Sequence, residues 1–582
     1  MSKSSDICGI ESTKISHLLL METKIEKVSD KVNVRRFKIY DQAQIFQVPL
    51  FVEDLIPAVH LVRIVDKVVE GLDMSSLEVY YRGGGCSAYH PKMMIKLWIY
   101  GYCERIYTSR RLTKMLRENI NYMWLSGGQQ PCFKTMSDFR SGKLQGMVDI
   151  VFKEVLEMLV ELGYIDLDEL YVDGSKWEAN ANRHKCVWKK NTERYKSVVI
   201  ERIECLLLEI KALQREEDAK YGVNDLAENG CGEEIGIVLT SEIVGQHLIR
   251  LQSLVSAQAA EEVEKVKKHS QTAAEKLVKK LLEEQSKLIK YEAQAEILDK
   301  RNSYSKTDED ATMLRMKDER LLPAYNVEHT TSHQYVTNYT IEQNASDSVT
   351  LIAHIEKMAE RFAGITELKD TALCGDAGYG SEENYAYLEG RGIIAYVKYP
   401  MWYQEQTGEL AKKMFRRENW TYDKESNSYT CPNNRKLNFA YQKTDITANG
   451  YERTIDIYQS ENCKDCPFAE QCKRSEDSTR TVQHSAQGEI YKEKAKELLD
   501  TPKGKEMRKE RSIEVESVFG DIKFNMQHDR FILRGKNKVY VEYGLLAIGH
   551  NLRKVYCQQS GVWKDYYVQR AAKKVQKEQK RA

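Results

Sequence analysis

No stretch of the 582-residue chain approaches the roughly 18 consecutive apolar residues that a membrane span requires. The short run Leu18-Leu19-Leu20-Met21 lacks the flanks of a secretory signal. These absences predict a cytoplasmic protein with no membrane partner. Neither sign of charge is in excess, with 88 Lys and Arg against 87 Asp and Glu, so net charge alone points to no polyanionic partner. A Walker phosphate loop is missing too, because Gly83-Gly84-Gly85 is followed by no Lys-Ser/Thr at the required spacing and reads as a connector. Most of the thirteen cysteines stand alone, which in a reducing compartment marks small buried hydrophobes.

The distribution of charge says more than its sum. Thr501 to Ala582 holds 19 Lys and Arg against 9 Asp and Glu, and Leu77 to Arg140 holds 10 against 4. Both segments are locally basic and able to face phosphates, although a solvated helical surface gives the same count. Four cysteines also break the scattered pattern. Cys431, Cys463, Cys466 and Cys472 follow a C-x31-C-x2-C-x5-C spacing, with Pro after Cys431 and after Cys466. Such a set permits one tetrahedral structural Zn²⁺; four thiols that merely pack would give the same sequence.

Periodicity divides the chain. Residues 1–50 form a polar lead-in, and residues 51–165 carry helical stripes such as Leu55, Ile56, Val59, Val62, Val65 and Val68, later Met93, Met94, Leu97 and Trp98. Between 191 and 300, the stripes Ile203-Leu206-Ile210-Leu213 and Leu277-Leu281-Leu288-Tyr291-Ala295-Leu298 predict two long helices in a hairpin, turning near Lys220 to Gly236. From 301 to 400, β-like alternation at His333 to Ile341 and Ile393 to Val397 flanks a helical stretch at Val349 to Phe362. That alternation predicts an α/β layer structure. Residues 401–489 are polar and turn-rich and hold the cysteine set. Helix returns over 490–556, followed by a basic tail at 557–582.

Three acidic residues stand out within this plan. Asp173 ends the apolar run Leu170-Tyr171-Val172 and Asp376 follows Leu373-Cys374-Gly375, while Glu516 lies in a helical stretch. Hard oxygen ligands brought together in this way can hold Mg²⁺ or Mn²⁺ for phosphodiester chemistry. Each aspartate alone also suits a turn, since Gly174 and the Ala377-Gly378 pair follow. Glu514 is an alternative third carboxylate. His329 and His333 have i,i+4 spacing, but in a β-like context they read as satisfied histidines without a metal.

These residues carry a resemblance. Tyr171-Val172-Asp173-Gly174-Ser175-Lys176-Trp177-Glu178, Gly375-Asp376-Ala377-Gly378-Tyr379-Gly380 and Val515-Glu516-Ser517-Val518-Phe519-Gly520-Asp521-Ile522-Lys523 resemble the motifs of bacterial insertion-sequence transposases of the DDE class. Ile56-Pro57-Ala58-Val59-His60, Tyr89-His90-Pro91 and Ser109-Arg110-Arg111 resemble the helical N-terminal domain of that family. The resemblance implies an RNase H-like catalytic core split over 166–190 and 301–400, with the catalytic Glu in 490–556, a helical-hairpin insertion and a small cysteine-containing insertion. It implies that Asp173, Asp376 and Glu516 are the catalytic, metal-holding carboxylates, and that the helical domain binds DNA. Six residues separate Glu516 from Lys523, as in the family, whereas Arg511 lies one residue further back than the family's Arg. Lys523, Arg530, Arg534 and Lys536, together with Arg110 and Arg111, are the expected DNA contacts. The implied partners are element ends, target DNA and further copies of the chain, as a homo-oligomer in the DNA complex. The implied reaction is cleavage at element ends followed by joining of the 3′-OH to target DNA by two-metal-ion catalysis. A nuclease that only hydrolyses, or an inactive DNA-binding derivative, would share these features.

Overall fold

The helical stripes of the N-terminal region form helices because their apolar positions recur at 3.6-residue spacing and their ends are capped. In α1 (Leu61–Glu70), Leu61, Val62, Val65 and Val69 are buried and the His60 ring accepts a hydrogen bond from the Val62 amide at 3.2 Å. Proline in the first turn starts α2 (Pro91–Cys103), all thirteen residues of which are buried. Thr108 caps α3 (Ser109–Glu118), and α4 (Leu144–Glu161) completes the layer. The computed structural model describes residues 51–73, 75, 79–81, 87–221, 239–261, 273–473 and 479–561. The expected lead-in, the glycine triplet, most of the 220–236 turn and the tail beyond 561 lie outside the described residues. The described fold belongs to a unit that begins at Val52.

A six-stranded mixed sheet forms the centre. It comprises β1 (Glu169–Glu178), β4 (Thr312–Arg315), β5 (Leu321–Ser332), β6 (Tyr335–Glu342), β7 (Ala372–Gly375) and β8 (Ile394–Val397). β5 lies antiparallel to β1, and its other edge is shared by β4 at one end and β6 at the other. On the far side of β1, β7 and then β8 run parallel to it. A short ribbon of β2 (Cys186–Trp188) and β3 (Ser303–Ser305) stands apart. Between these two strands run three helices, α5 (Lys189–Tyr221), α6 (Ser241–Glu261) and α7 (Ala273–Leu298), where the sequence predicts a two-helix hairpin. The third comes from Val244 and Leu248, which are buried with Ile203, Leu281 and Leu288 in a separate small core.

Helices α8 (Leu351–Phe362) and α9 (Glu382–Gly390) follow β6 and β7. Residues 421–484 form a second, antiparallel sheet of β9 (Thr421–Asp423), β10 (Ser428–Thr430), β11 (Lys436–Ile446), β12 (Glu452–Ser460) and β13 (Thr481–His484), each strand beside the next. Its strands escaped the sequence reading because β11 is mostly exposed on both faces and shows no apolar alternation. The chain then crosses the central sheet as α10 (Ala486–Asp500), against β8, and α11 (Pro502–Arg511), against β7 and β8. The last described helix, α12 (Lys536–Gln559), packs on β6 and on α1, α2 and α4. Gly544 permits this approach, since a Cβ there would collide with the Tyr339 hydroxyl and stand 2.7 Å from Val148.

Candidate active site

β1 does not end at Asp173, as the Asp-Gly pair suggests, but continues to Glu178. Parallel pairing sets Tyr171 against Cys374 of β7, and extending that register by two residues brings Asp173 level with Asp376, just past the end of β7. Asp376 is held in its turn by the Gly378 amide, which donates to Oδ1 at 2.8 Å. The Gly174 amide donates to Asp173 Oδ1 at 3.0 Å. Thus two carboxylates meet at the ends of adjacent strands.

A cation joins them. Arg511, the last residue of α11, places Nη2 2.9 Å from Asp173 Oδ1 and 3.6 Å from Asp376 Oδ2. Directly after it the helix widens into a π turn at Ser512–Glu516, which packs on β1 and β5. Hydrogen bonding from i to i+5 stacks residues five apart, so Arg511 and Glu516 share a face as i,i+4 residues do in an α-helix. The extra residue between Arg511 and Glu516 is absorbed by this turn. Glu516 is exposed, and no hydrogen bond or ion pair engages it among the described residues. Glu514 turns elsewhere: it is buried, and its carboxylate accepts the Gln334 amide at 2.6 Å.

Burial pushes the Asp173 carboxyl up to about 6, with Arg511 opposing the rise and Asp376 adding to it. The position therefore calls for positive charge. Lys523 lies on a second π turn, at Asp521–Asn525, and donates to Ser175 Oγ at 2.7 Å and to the Lys176 carbonyl at 3.0 Å. Its Nζ stands 4.0 Å from the Trp177 ring centre, and burial lowers its pKa to about 8. Among the described residues no three His, Cys, Asp or Glu side chains gather in metal-holding geometry. The Asp173, Asp376 and Arg511 arrangement is a pair of carboxylates bridged by a guanidinium.

Two acids that the sequence reading passed over lie beside the pair. Asp347, before α8, and Glu328, on β5, share the amide of Asn326, at 2.9 Å to each. Burial and Asp347 hold the Glu328 carboxyl well above its usual range. Asp347 gave no signal within the polar stretch around it. Glu328 gave one, a charge inside the β-rich run Tyr325 to Thr331. Nearby on β5, Tyr325 donates to Asp308 at 2.9 Å. His329 is buried and stacks on Phe519, while exposed His333 contacts Asp166.

The expected DNA contacts divide into two groups. Arg110 and Arg111 are exposed on α3, with Arg110 over the Phe133 ring. Arg530 pairs with Glu178 at 3.4 Å, Arg534 donates to the Asn180 carbonyl at 2.7 Å, and Lys536 stands 3.7 Å from Glu342. In the second sheet, Cys431 begins the turn between β10 and β11, Cys463 and Cys466 form a turn after β12, and Cys472 ends a short helix. Burial raises the Cys472 thiol, and Cys431, Cys463 and Cys466 are close enough to raise it further.

Comparison with known families adds two matches. A model described as Transposase DDE domain matches residues 430–556, which include the four cysteines, Arg511, Glu516 and Lys523. A model described as Transposase domain matches residues 50–142, the helical region with Arg110 and Arg111. No curated protein matches the chain.

Proposed function

We propose, from the premise that this chain is an insertion-sequence transposase of the DDE type, that it cleaves phosphodiester bonds at element ends and joins the 3′-OH ends to target DNA. The observation that carries the reading is the opposition of Asp173 and Asp376 across a cationic group, with Glu516 one π turn further along the same helical face. The sheet order supports an RNase H-like core, with β5 antiparallel to β1 and with β7 and β8 parallel to it.

Asp173, Asp376 and Glu516 would hold Mg²⁺ or Mn²⁺, and the bound ions supply activation of the attacking oxygen and stabilisation of the leaving one. Arg511 and Lys523 offset the repulsion between three carboxylates and an approaching phosphodiester. Lys523 is tied to β1 by Ser175 and Lys176, so its charge is positioned before DNA arrives. The exposed Arg110 and Arg111 contact the DNA backbone through their guanidinium forks. Cys431, Cys463, Cys466 and Cys472 hold one structural Zn²⁺, a reading supported by their C-x31-C-x2-C-x5-C spacing and by the turns that carry Cys431 and the Cys463–Cys466 pair. The chain acts as a homo-oligomer in the DNA complex.

The test is incubation with linear DNA bearing the element's own ends, with and without Mg²⁺, resolving cleaved from joined products, with Asp173→Asn as control. Metal-dependent cleavage and joining, both lost in the control, are expected. Cleavage without joining would reduce the activity to hydrolysis, and DNA binding with neither product would leave a DNA-binding derivative.

A further inference from the structure

Side chains alternate faces along a strand, and the register sets Asp173 against His329 and Gly174 against Glu328. Glu328 therefore lies on the reverse face of the sheet from Asp173. It is fully buried, and among the described residues no cation pairs with it. Neutral donors take both oxygens: Oε1 accepts the Asn326 amide and the Thr350 hydroxyl, each at 2.9 Å, and Oε2 accepts the hydroxyl of Tyr379. Tyr379 is fully buried and lies three residues past Asp376, in the same turn. A Cβ at position 174 would stand 2.9 Å from Glu328 Oε1 and 3.0 Å from Asp347 Oδ1, so the carboxyl fits beneath β1 because glycine occupies that position.

Fold stability gives little reason to keep such a group. Replacing buried hydrogen-bonded polar partners by apolar side chains of the same shape can be nearly neutral or stabilising. What the carboxyl does is connect: it lies under the peptide that follows Asp173 and grips the turn that carries Asp376.

We infer that Glu328 is a positioning residue, a strut that fixes the backbones of Asp173 and Asp376 relative to each other through Gly174 on one side and Tyr379 on the other. The inference rests on the reading of the two aspartates as metal ligands. Glu328 touches neither substrate nor the reacting atoms. It acts by holding the two ligands at one separation, as outer partners of metal sites do.

The experiment is a Mn²⁺ titration of the full chain, read by strand cleavage and independently by calorimetric Mn²⁺ binding. The variants are Tyr379→Phe, Glu328→Leu, Glu328→Gln and the Tyr379→Phe/Glu328→Leu double variant. Tyr379→Phe and Glu328→Leu are expected to raise the half-saturating Mn²⁺ concentration about 10-fold or more, the range found for outer partners of metal ligands. The double variant should be no worse than Glu328→Leu, because both changes remove one connection. Glu328→Gln keeps a carbonyl acceptor for Tyr379 and should stay within about threefold of wild type. DNA affinity without metal should not move. Unchanged Mn²⁺ midpoints in Tyr379→Phe and Glu328→Leu, or a Gln variant as impaired as the Leu variant, would overturn the inference. Should Glu328→Leu not fold, Tyr379→Phe, which removes one oxygen, carries the test. Failure of the underlying reading shows separately, as an Asp173→Asn variant that binds Mn²⁺ like wild type.

Discussion

The guanidinium of Arg511 lies 2.9 Å from Asp173 Oδ1 and reaches Asp376 as well, so positive charge from the protein itself holds the two carboxylates together. Both Arg511 and Asp173 are largely buried, and loss of one partner leaves the other poorly compensated. Arg511→Ala is expected to lower stability by about 2 kcal/mol in EDTA, with Mn²⁺ restoring most of the loss. Thermal unfolding with and without Mn²⁺ checks this. An equal loss under both conditions would show that the charge of Arg511 is not what the aspartates require.

Glu516 and Glu514 lie two residues apart and face different surroundings. Glu516→Gln should abolish cleavage and joining while leaving DNA binding intact, since carboxylates repel phosphate when no metal is bound. Glu514→Gln should keep activity and lose about 1 kcal/mol of stability through its weakened bond to the Gln334 amide. Product gels and unfolding curves at equal protein concentration distinguish the two. An active Glu516→Gln beside a dead Glu514→Gln would move the third ligand to Glu514.

Purified protein should carry about one equivalent of zinc, since four thiolates close a tetrahedral site. Chelation should lower the unfolding temperature, and Cys466→Ser should lower zinc content alongside it. Metal analysis below about half an equivalent, with stability indifferent to chelator, would leave four thiols that only pack.

Acid stability should depend on Asp521. Burial alone would raise its carboxyl, but the hydrogen bond and charge of His550, with help from Asn525 and Arg553, outweigh it and hold the group at about 2. An unfolded Asp titrates near ~3.9, so the folded form binds that proton more weakly. Its contribution is therefore present in full above about pH 4 and lost as pH falls to about 2. The size is about 2 kcal/mol. Asp521→Asn should be less stable than wild type at pH 7 by that amount, and denaturant unfolding should show the gap closing between pH 4 and 2.

DNA affinity should fall steeply with salt through counterion release. Replacing both Arg110 and Arg111 by Glu should weaken binding alike for every sequence and reduce the slope of log K against log salt by about 2. Charge reversal at Arg530, Arg534 or Lys536 should act less cleanly, because each already engages Glu178, the Asn180 carbonyl or Glu342. Binding assays at several salt concentrations measure both effects. A slope indifferent to salt would remove the backbone-contact role.

Legibility in the sequence followed the strength of local pattern. The stripes Val62-Val65-Val68 and Met93-Met94-Leu97 announced helices, and the run Ile393 to Val397 announced a strand, because burial leaves an apolar stripe or run. The β11 strand left none, being solvated on both sides. Asp173 and Asp376 were visible as charges following apolar runs, whereas their alignment is a property of strand register between residues 203 apart. The π turn at Ser512–Glu516 was legible only as a spacing that ran one residue too long. Glu328 hid because a carboxyl bound by neutral donors has no charged partner in the sequence to mark it.

α2 and α12 close on each other over almost the whole described chain, and the Arg553 side chain donates to the Cys103 carbonyl at 2.7 Å across 450 residues. The entropy of closing so long a loop grows only logarithmically, about 0.6 kcal/mol for each doubling. The three helices of 189–298 and the second sheet at 421–484 therefore add little to the equilibrium cost of the fold. Their effect falls on time. Every strand and helix that builds the carboxylate pair waits on contacts of very high sequence separation, and chains dominated by such contacts fold slowly and expose apolar faces meanwhile. α2, buried on every side in the folded chain, presents apolar surface until α12 covers it.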